Sequence, residues 1–202
     1  MEPSDRKPEM RERARARRAG LCADREAASA RIATFLLPEL LRRRPRVVGA
    51  YRALADEIDP APIVAALRKA GVTIALPAVE RRHAPLVFRH HREGDPLRRS
   101  AFGIAEPVEG APVLRPDMLL VPLLAFDREG FRLGFGAGYY DRTIAALRAA
   151  GDLFTVGLAF AAQEVTALPH EPHDMTLDLV ATETGLVWPR CAEGDRTREE
   201  GG

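Results

Sequence analysis

Two apolar strand patterns flank a helix pattern between residues 46 and 77, and this order constrains the fold more than any other feature. RVVGAYR (46–52) and VTIALP (72–77) are rich in β-branched and apolar residues, so both predict strands. Between them, PAPIVAALRKAG (60–71) has Pro in its first turn and Gly at its end, which is typical of a helix. A strand, a helix and a strand in this order close into a parallel sheet that is covered by helices.

The second half of the chain continues this alternation. DMLLVP (117–122) predicts a buried strand, and YYDRTIAALRAAG (139–151) predicts a helix with one apolar face. LFTVGLAF (153–160) and LDLVATE (177–183) predict two further strands. We therefore predict an α/β protein with three α/β/α layers around a mainly parallel sheet.

Helices are expected before the sheet, because Ala, Arg and Glu dominate residues 5–44. Gly20 is predicted to separate two helices, and Asp24 to cap the second. Pro38 is expected either to end the second helix or to start a short third one, because its ring does not fit a helix interior without a kink. An apolar stripe at helical spacing marks the packed face: Ile32, Phe35, Leu36, Leu40 and Leu41.

Two stretches fall outside this alternation. Residues 78–112 contain one strand pattern, PLVFRH (85–90), followed by Gly, Pro and charged residues. This composition indicates a hairpin or an excursion over the carboxyl edge of the sheet. Residues 189–202 are polar and predict a disordered tail, so we expect residues 1–188 to form a single domain.

Charge and cysteine content argue against several classes of protein. The chain of 202 residues has 30 Lys and Arg against 29 Asp and Glu, and a net charge of +1 is not typical of a dedicated nucleic-acid binder. Cys22 and Cys191 are too few for a disulfide framework or a four-cysteine zinc site. No apolar run suits a membrane helix or a signal peptide, so we expect a cytoplasmic protein without a membrane or nucleic-acid partner.

Positive charge is concentrated near the N-terminus, where residues 1–46 hold thirteen Arg and Lys against seven acidic residues. A solvated helical face explains this surplus. Alternatively, one or two of these cations face a phosphate site. A third hypothesis, an RNA-binding protein that uses these helices, predicts a steep salt dependence of RNA binding, but the sequence lacks an aromatic and basic pattern.

A glycine-rich loop between a strand and a helix is the strongest indication of chemistry. In VPLLAFDREGFRLGFGAGYYDRTI (121–144), an apolar strand leads to a loop and then to a helix that begins near Tyr139. Glycines let backbone N–H groups approach phosphate oxygens, the helix N-terminus adds partial positive charge, and Arg132 adds a full charge. The glycines are Gly130, Gly134, Gly136 and Gly138. Taken alone, this pattern equally fits a mobile turn, because its spacing matches neither the Walker loop nor the dinucleotide fingerprint.

Two carboxylates near this loop leave alternatives open. Asp141 lies in the first turn of the predicted helix, where a carboxylate can hold Mg²⁺ beside a triphosphate. An ordinary Asp that complements the helix dipole fits equally well. For Asp127, a role in the turn before Gly130 and contact with the site are also equally consistent.

The run from Val121 to Arg142 resembles the signature of 5-formyltetrahydrofolate cyclo-ligases. In that signature an apolar strand and Pro lead to Phe-Asp, then to Arg-Leu-Gly, a glycine alternation and Gly-Tyr-Tyr-Asp. Four further matches follow in family order: Lys7 with Arg11, YRALADEI (51–58), FGIAEP (102–107) and LPHEPHD (168–174). Together the matches span nearly the whole chain.

This resemblance implies a role for each matching residue. Arg132 and Tyr139 are the expected catalytic residues, and Asp141 and Asp174 are the expected ligands of Mg²⁺. The folate would contact Arg52, Glu57, Phe102, Phe135 and Tyr139, with Glu57 facing the donor edge of the pterin and Phe102 stacking on it. ATP would contact Lys7, Arg11, Arg132, Leu133, Gly134, Phe135, Gly136, Ala137, Gly138, Tyr139 and Tyr140.

Some positions depart from the family pattern. Pro8 places Lys7 at or just outside the helix start, which weakens its expected reach to the phosphates. Phe135 and Ala137 stand where some members carry cations, so we expect weaker phosphate or polyglutamate contacts there.

The chain has five histidines, of which His170 and His173 precede Asp174 within the matched LPHEPHD stretch. His83, His90 and His91 are expected on surface loops, because no carboxylate or cysteine keeps metal-ligand spacing with them. His170 and His173 are expected in a turn, although contact with a metal ligand is an alternative.

The resemblance implies ATP-dependent cyclisation of 5-formyltetrahydrofolate to 5,10-methenyltetrahydrofolate, through a phosphorylated formyl intermediate and with release of ADP and phosphate. ATP is the co-substrate, Mg²⁺ the cofactor and a monomer the expected state. The alternative is a nucleotide- or sugar-phosphate-binding α/β module of the same fold without ligase activity. Glu57 discriminates between them, because a simple nucleotide binder has no need of a carboxylate beside the ATP loop.

Overall fold

The computed structural model describes residues 3–99 and 103–190. The α-helices in these ranges are α1 (Pro3–Ala19), α2 (Arg25–Arg42), α3 (Ala61–Lys69) and α4 (Tyr139–Ala149). Single turns of 3-10 helix lie at Cys22–Asp24 and Ala161–Gln163. The strands are β1 (Val47–Gly49), β2 (Thr73–Ala78), β3 (Val87–His90), β4 (Leu97–Arg99), β5 (Ala105–Pro107), β6 (Val113–Leu114), β7 (Met118–Pro122), β8 (Ala125–Phe126), β9 (Arg132–Leu133), β10 (Phe154–Leu158), β11 (Leu179–Thr182) and β12 (Gly185–Val187).

Eight strands form one sheet in the order β12–β11–β10–β7–β1–β2–β3–β6. The five central strands, from β11 to β2, are parallel to one another. At the edges β12 pairs antiparallel with β11, β3 with β2, and β6 with β3. Two short antiparallel ribbons, β4 with β5 and β8 with β9, lie apart from this sheet. The predicted mainly parallel sheet is therefore confirmed.

Helices cover both faces of the sheet, because successive residues of a strand point to opposite sides. Leu36 of α2 and Leu67 of α3 share a core cluster with Leu120 of β7. Its neighbour Leu119 packs on the other face in a cluster with Ile144 of α4. The three-layer α/β/α arrangement is thus confirmed.

Two predictions about the N-terminal helices are wrong. Pro38 does not interrupt α2, which runs without a break to Arg42. The buried Leu36 and Leu40 on either side anchor the helix to the core, and their packing offsets the lost hydrogen bond. Asp24 makes no capping hydrogen bond through its side chain, because the preceding 3-10 turn leaves it outside the extended conformation that a cap needs. The break between the helices near Gly20 is confirmed.

Pro8 lies inside α1 rather than before it, since that helix begins at Pro3. Lys7 is therefore a helical residue, and the expectation that it lies at or outside the helix start is wrong. Likewise, β1 ends at Gly49, so Arg52 and Glu57 follow the strand rather than extend it.

Some predictions fall outside the described residues: Phe102 and most of the expected tail, residues 191–202. The single domain over residues 1–188 stays a prediction. Within residues 3–99 and 103–190, no helix combines the length and the apolar character needed to cross a membrane.

His91 is buried just after β3, which corrects its expected place on a surface loop. Arg68 Nη2 lies 3.0 Å from His91 Nδ1 and donates a second hydrogen bond of 3.0 Å to the His91 carbonyl. Because a guanidinium only donates, Nδ1 must accept and the imidazole is neutral. Burial, together with the charges of Arg68 and Arg52, lowers the pKa of His91, although Asp95 acts in the opposite direction.

This arrangement predicts a loss of stability in mild acid. A lowered pKa in the folded state means that the unfolded chain binds more protons, so stability falls as the pH drops below about 6.5. We expect His91→Gln, whose amide oxygen can still accept from Arg68, to reduce this fall. Urea unfolding at pH 7.5 and pH 5.5 measures it, with the exposed His83→Gln as control. An equal acid loss in both variants would contradict this assignment of His91.

Candidate active site

A cavity of about 470 Å³ lies at the carboxyl ends of β7, β1 and β2. Segments that are distant in sequence meet there, as is typical of open parallel sheets. Every site residue predicted from the sequence lines this cavity, except Phe102, which lies outside the described residues. The structure therefore brings these residues together at one cavity, and their assignment to a site and their individual roles stay predictions.

The glycine loop forms one wall of the cavity. The β8–β9 ribbon leads into residues 134–138, and α4 begins directly afterwards. Gly136 and Gly138 have φ angles of 104° and 64°, a conformation that favours glycine. Gly138 is the N-cap of α4 and makes no side-chain cap hydrogen bond, and a helix N-terminus of this kind favours an anion.

Helix α1 lies against this loop. A Cβ atom on Gly136 would lie 3.2 Å from Arg11 Cζ, so a glycine there allows the guanidinium to approach the backbone. Arg11 Nε donates a hydrogen bond of 3.1 Å to the Gly134 carbonyl. Arg11 and the loop therefore form one continuous wall.

Lys7, one turn earlier on α1, is held by two carboxylates. Its Nζ lies 2.6 Å from Asp174 Oδ2 and 2.9 Å from Glu171 Oε2. Burial opposes the charged forms, yet these ion pairs raise the pKa of Lys7 and lower that of Asp174. Lys7 therefore carries a full positive charge in the cavity, and the carboxylates of Glu171 and Asp174 neutralise it.

Arg132 is fixed by contacts at the edge of the cavity. Its Nη2 donates a hydrogen bond of 2.8 Å to Asp141 Oδ1, and its Nη1 donates to the Met175 carbonyl. The Met175 N–H donates to the same Asp141 oxygen at 3.1 Å. Burial lowers the pKa of Arg132 from its very high usual value, while Asp141 opposes this change, so the guanidinium stays charged.

Glu57 forms a second wall of the cavity and is only 4% exposed. Its Oε2 accepts a hydrogen bond of 2.8 Å from the Leu54 N–H, and its Oε1 lies 3.4 Å from Arg18 Nη1. Burial raises the pKa of Glu57, because loss of hydration outweighs the opposing effects of Leu54 and Arg18. The Arg18 guanidinium also binds Asp56 Oδ2, at 2.9 Å from Nε.

Phe135 connects the two walls. Its ring is 39% exposed and lines the cavity, while Arg18 and Arg15 approach it with Cζ at 5.2 and 5.8 Å from the ring centroid. Such cation–π contacts favour one orientation of an exposed ring. An aromatic surface therefore faces the cavity between the glycine loop and Glu57.

The buried Tyr51 and the half-buried Tyr140 also line the cavity. The Tyr51 hydroxyl donates a hydrogen bond of 2.6 Å to the Ile58 carbonyl and thereby closes the loop that carries Glu57. Burial raises the pKa values of Tyr51 and Tyr140, so both hydroxyls stay protonated. These groups can donate hydrogen bonds but cannot act as anions at neutral pH.

The donor set at this site fits a magnesium ion. Oxygen atoms of Asp174 and Glu171 and a nitrogen of His173 lie within 4.8 Å of one another. Asp141 is near this group, because it accepts a hydrogen bond from the N–H of Met175, the residue after Asp174. Both hydrogen bonds that Asp141 accepts from described residues, from Met175 and Arg132, go to Oδ1. Mg²⁺ prefers carboxylate oxygens and water, so Asp141 and Asp174 suit it better than the exposed His173.

The sequence patterns missed two charged residues at this site. Arg18 is 2% exposed and lies eleven positions after Lys7 and seven after Arg11, which is the spacing of one helix face. That spacing is a signal for it. Glu171 belongs to a matched motif, but nothing in the sequence indicates its pairing with Lys7, 164 positions away.

Two alternatives left open by the sequence are resolved. Asp127 holds the β8–β9 turn, because it accepts hydrogen bonds from the N–H groups of Glu129, Phe131 and Leu168. His170 stacks on Phe131 with ring centroids 3.8 Å apart, so it has a packing role, and it lies just before the turn at residues 172–173.

Replacing Arg18 should destabilise the fold by leaving the Glu57 carboxylate buried without a cation. We expect Arg18→Met to lower the free energy of unfolding by about 3–5 kcal/mol. Adding Glu57→Gln should restore part of the loss, because a neutral amide tolerates burial better. Urea unfolding measures both, with the exposed neighbour Arg17→Met as control. Equal unfolding free energies for Arg18→Met and Arg17→Met would show that the buried pair contributes nothing.

Comparisons with known proteins agree with this geometry. Residues 3–183 match the family model described as "5-formyltetrahydrofolate cyclo-ligase family". A curated relative of that name from Escherichia coli K12 is 34% identical over 146 residues, covering 70% of this chain and 79% of the relative. Another from Haemophilus influenzae is 32% identical and covers 67% of this chain and 75% of the relative.

Solved structures give the same result. The Aquifex aeolicus 5,10-methenyltetrahydrofolate synthetase superposes with a TM-score of 0.77 at 30% identity, covering 92% of this chain and 93% of that one. A Mycoplasma pneumoniae synthetase shares the fold, with a TM-score of 0.69 at 21% identity over 88% of this chain and 98% of that one. With its family motifs at one cavity and its family model matched over residues 3–183, this chain belongs to the 5-formyltetrahydrofolate cyclo-ligase family.

Proposed function

We propose that this chain is an enzyme that cyclises 5-formyltetrahydrofolate to 5,10-methenyltetrahydrofolate and converts ATP to ADP and phosphate. Membership of the cyclo-ligase family supports this activity. The observation that carries the proposal is the pairing of two unlike walls in one cavity. A glycine loop with cations faces a wall with a buried carboxylate, which suits a phosphate chain next to a pterin.

The phosphates of ATP would lie along the glycine loop. The N–H groups of residues 134–138 and of the first turn of α4 can donate to phosphate oxygens, and Arg11 adds a charge beside them. Lys7 would join them by exchanging Asp174 or Glu171 for a phosphate oxygen. This exchange keeps its charge paired both with and without the nucleotide.

The folate would occupy the wall formed by Glu57, with Phe135 and Tyr139 between it and the nucleotide and Arg52 at the exposed side. The carboxylate of Glu57 can accept from the N–H groups of the pterin, and the Phe135 ring offers a surface for stacking. Phe102 stays a prediction.

Asp141 and Asp174 would hold Mg²⁺. The ion supplies charge neutralisation for the phosphates when it is bound. Its site would lie beside Arg132, whose guanidinium Asp141 already orients.

In the proposed reaction the formyl oxygen attacks the γ-phosphorus of ATP, and the bond to the bridging oxygen breaks to release ADP. N10 then attacks the formyl carbon, the carbon–oxygen bond breaks with loss of phosphate, and N10 gives up its proton as the ring forms. Arg132 would balance the charge of the transferred group, and the cavity would align the reactants. Tyr139, next to the loop, would contact both substrates. A cytoplasmic location and a monomeric state stay predictions.

Absorbance of the methenyl chromophore tests the activity directly. We expect an increase only when purified protein, 5-formyltetrahydrofolate and ATP with Mg²⁺ are all present. If ATP binds but no chromophore forms under any condition, the chain is a nucleotide-binding module of this fold and the proposed activity is wrong.

Asp141→Asn should lower turnover at least about 100-fold while the fold persists, since removal of one charge-stabilising group has an effect of this size. The amide oxygen can still accept from Arg132 and from the Met175 N–H. If Asp141 holds the ion, the Mg²⁺ concentration for half-maximal rate should also rise. Steady-state rates across a magnesium series measure both, with the exposed Asp24→Asn as control. Near-normal turnover would rule out this role for Asp141.

A further inference from the structure

Glu106, on strand β5, is a second buried carboxylate in the wall of the cavity. It is 3% exposed, lines the same cavity as Glu57, and accepts a hydrogen bond of 3.2 Å from the Val79 N–H at Oε1. Arg98 Nη2 lies 3.8 Å from Oε2, which is too far for a hydrogen bond. Within the described part of the chain, Oε2 thus accepts no hydrogen bond.

Glu57 and Glu106 differ in the number of hydrogen-bond partners that the described residues offer to their carboxylate oxygens. Both oxygens of Glu57 have partners, Leu54 N–H and Arg18. In Glu106 one oxygen has a backbone donor and the other has only a distant charge. Because Glu106 lines the cavity, a bound molecule that offers an N–H or O–H group can supply the donor that the described residues do not give to Oε2.

The negative charge of Glu106 limits which part of a substrate can bind next to it. The phosphates of ATP and the glutamate tail of a folate are anionic, so a buried carboxylate repels both. The reduced pterin is the remaining part, with N–H donors on its 2-amino group, N3 and N8. One carboxylate can accept hydrogen bonds from two adjacent N–H donors of the pterin. The remaining N–H donors can then bind a second acceptor.

The sheet order supports the same assignment. The glycine loop follows β7, Glu57 follows β1, and Val79, the partner of Glu106, follows β2. Because these strands lie in the order β7–β1–β2, Glu106 is expected to lie farther from the glycine loop than Glu57 does. The edge of a pterin that points away from its reacting formyl group carries the remaining N–H donors.

We propose that Glu106 is a second substrate-binding residue, which accepts a hydrogen bond from the ring N–H groups of the reduced pterin through Oε2. This inference rests on the proposed cyclo-ligase function. Glu106 would set affinity for the folate rather than the rate of phosphoryl transfer.

Glu106→Gln and Glu109→Gln form a matched pair for the test. Glu109 binds the same Arg98 at 2.7 Å, but it is exposed and lies outside the cavity wall. Both variants remove one anionic partner of Arg98, while only Glu106→Gln alters the cavity. Gln at position 106 can still accept from the Val79 N–H.

We expect Glu106→Gln to raise the Kd and the KM for 5-formyltetrahydrofolate about 10-fold or more, as for loss of a hydrogen bond to a charged group. The kcat and the KM for ATP should change by less than about twofold, and Glu109→Gln should match the wild type. Binding is measured by calorimetry without ATP, and turnover by methenyl absorbance. Glu106→Asp keeps the charge but shortens the side chain by one methylene, so it should also weaken folate binding.

Equal folate affinity in Glu106→Gln and Glu109→Gln would overturn the proposal, as would an equal loss of ATP and folate binding in Glu106→Gln. These results would leave the cyclo-ligase activity intact if the wild type forms the methenyl product. If the wild type forms none, the proposed function fails, and calorimetry decides on Glu106 separately. A wild type that does not bind 5-formyltetrahydrofolate would overturn both.

Discussion

Parallel pairing of β7 with β1 on one side and β10 on the other is the constraint on which the site depends. Parallel strands end at the same edge, so the segments that follow them must meet there. The pairing is close at the centre of the sheet, where a Cβ atom on Gly49 of β1 would lie 2.5 Å from Leu119 of β7. A well-packed sheet thereby fixes where the loop with Glu57 and the glycine loop begin.

Helix α1 supplies the cations that line or flank both walls of the cavity, because it crosses this edge of the sheet. Lys7 pairs with Asp174 and Glu171, Arg11 with the Gly134 carbonyl, and Arg18 with Glu57. Each of these cations has an anionic or carbonyl partner within the described chain. Ligand binding at such a site exchanges one partner for another, which costs less than exposing an unpaired charge in a cavity of low polarity.

Much of this fold could be predicted from the sequence, because local patterns specify it. Apolar runs such as 117–122 and the helix pattern 139–151 correspond to β7 and α4 within a few residues. Proline misled the prediction at Pro38 because local propensity ignores the core packing that holds α2 together. The short strands β4, β5, β8 and β9 lack any periodic signal, since two or three residues cannot show one.

The candidate site was predictable to a similar degree and for a related reason. A family motif identifies residues in contiguous stretches, so the glycine loop and Asp141 could be found. Pairings across the chain could not, because Lys7 and Asp174 are 167 positions apart and the sequence does not encode their proximity in any local pattern. The location of His91 was wrongly predicted for the same reason, since its partner Arg68 lies 23 positions away on α3.

The glycine loop carries no cation at positions 135 and 137, but a guanidinium lies at each of its ends. Arg11 donates to the Gly134 carbonyl at one end of the loop, and Arg142 donates to the Ala137 carbonyl at the other. Carbonyl oxygens would repel a phosphate, and a guanidinium bound to each offsets that repulsion. The N–H groups and the N-terminus of α4 can then face the anion. Positive charge therefore comes from the flanking helices, and the uncharged Phe135 offers an aromatic surface to the cavity.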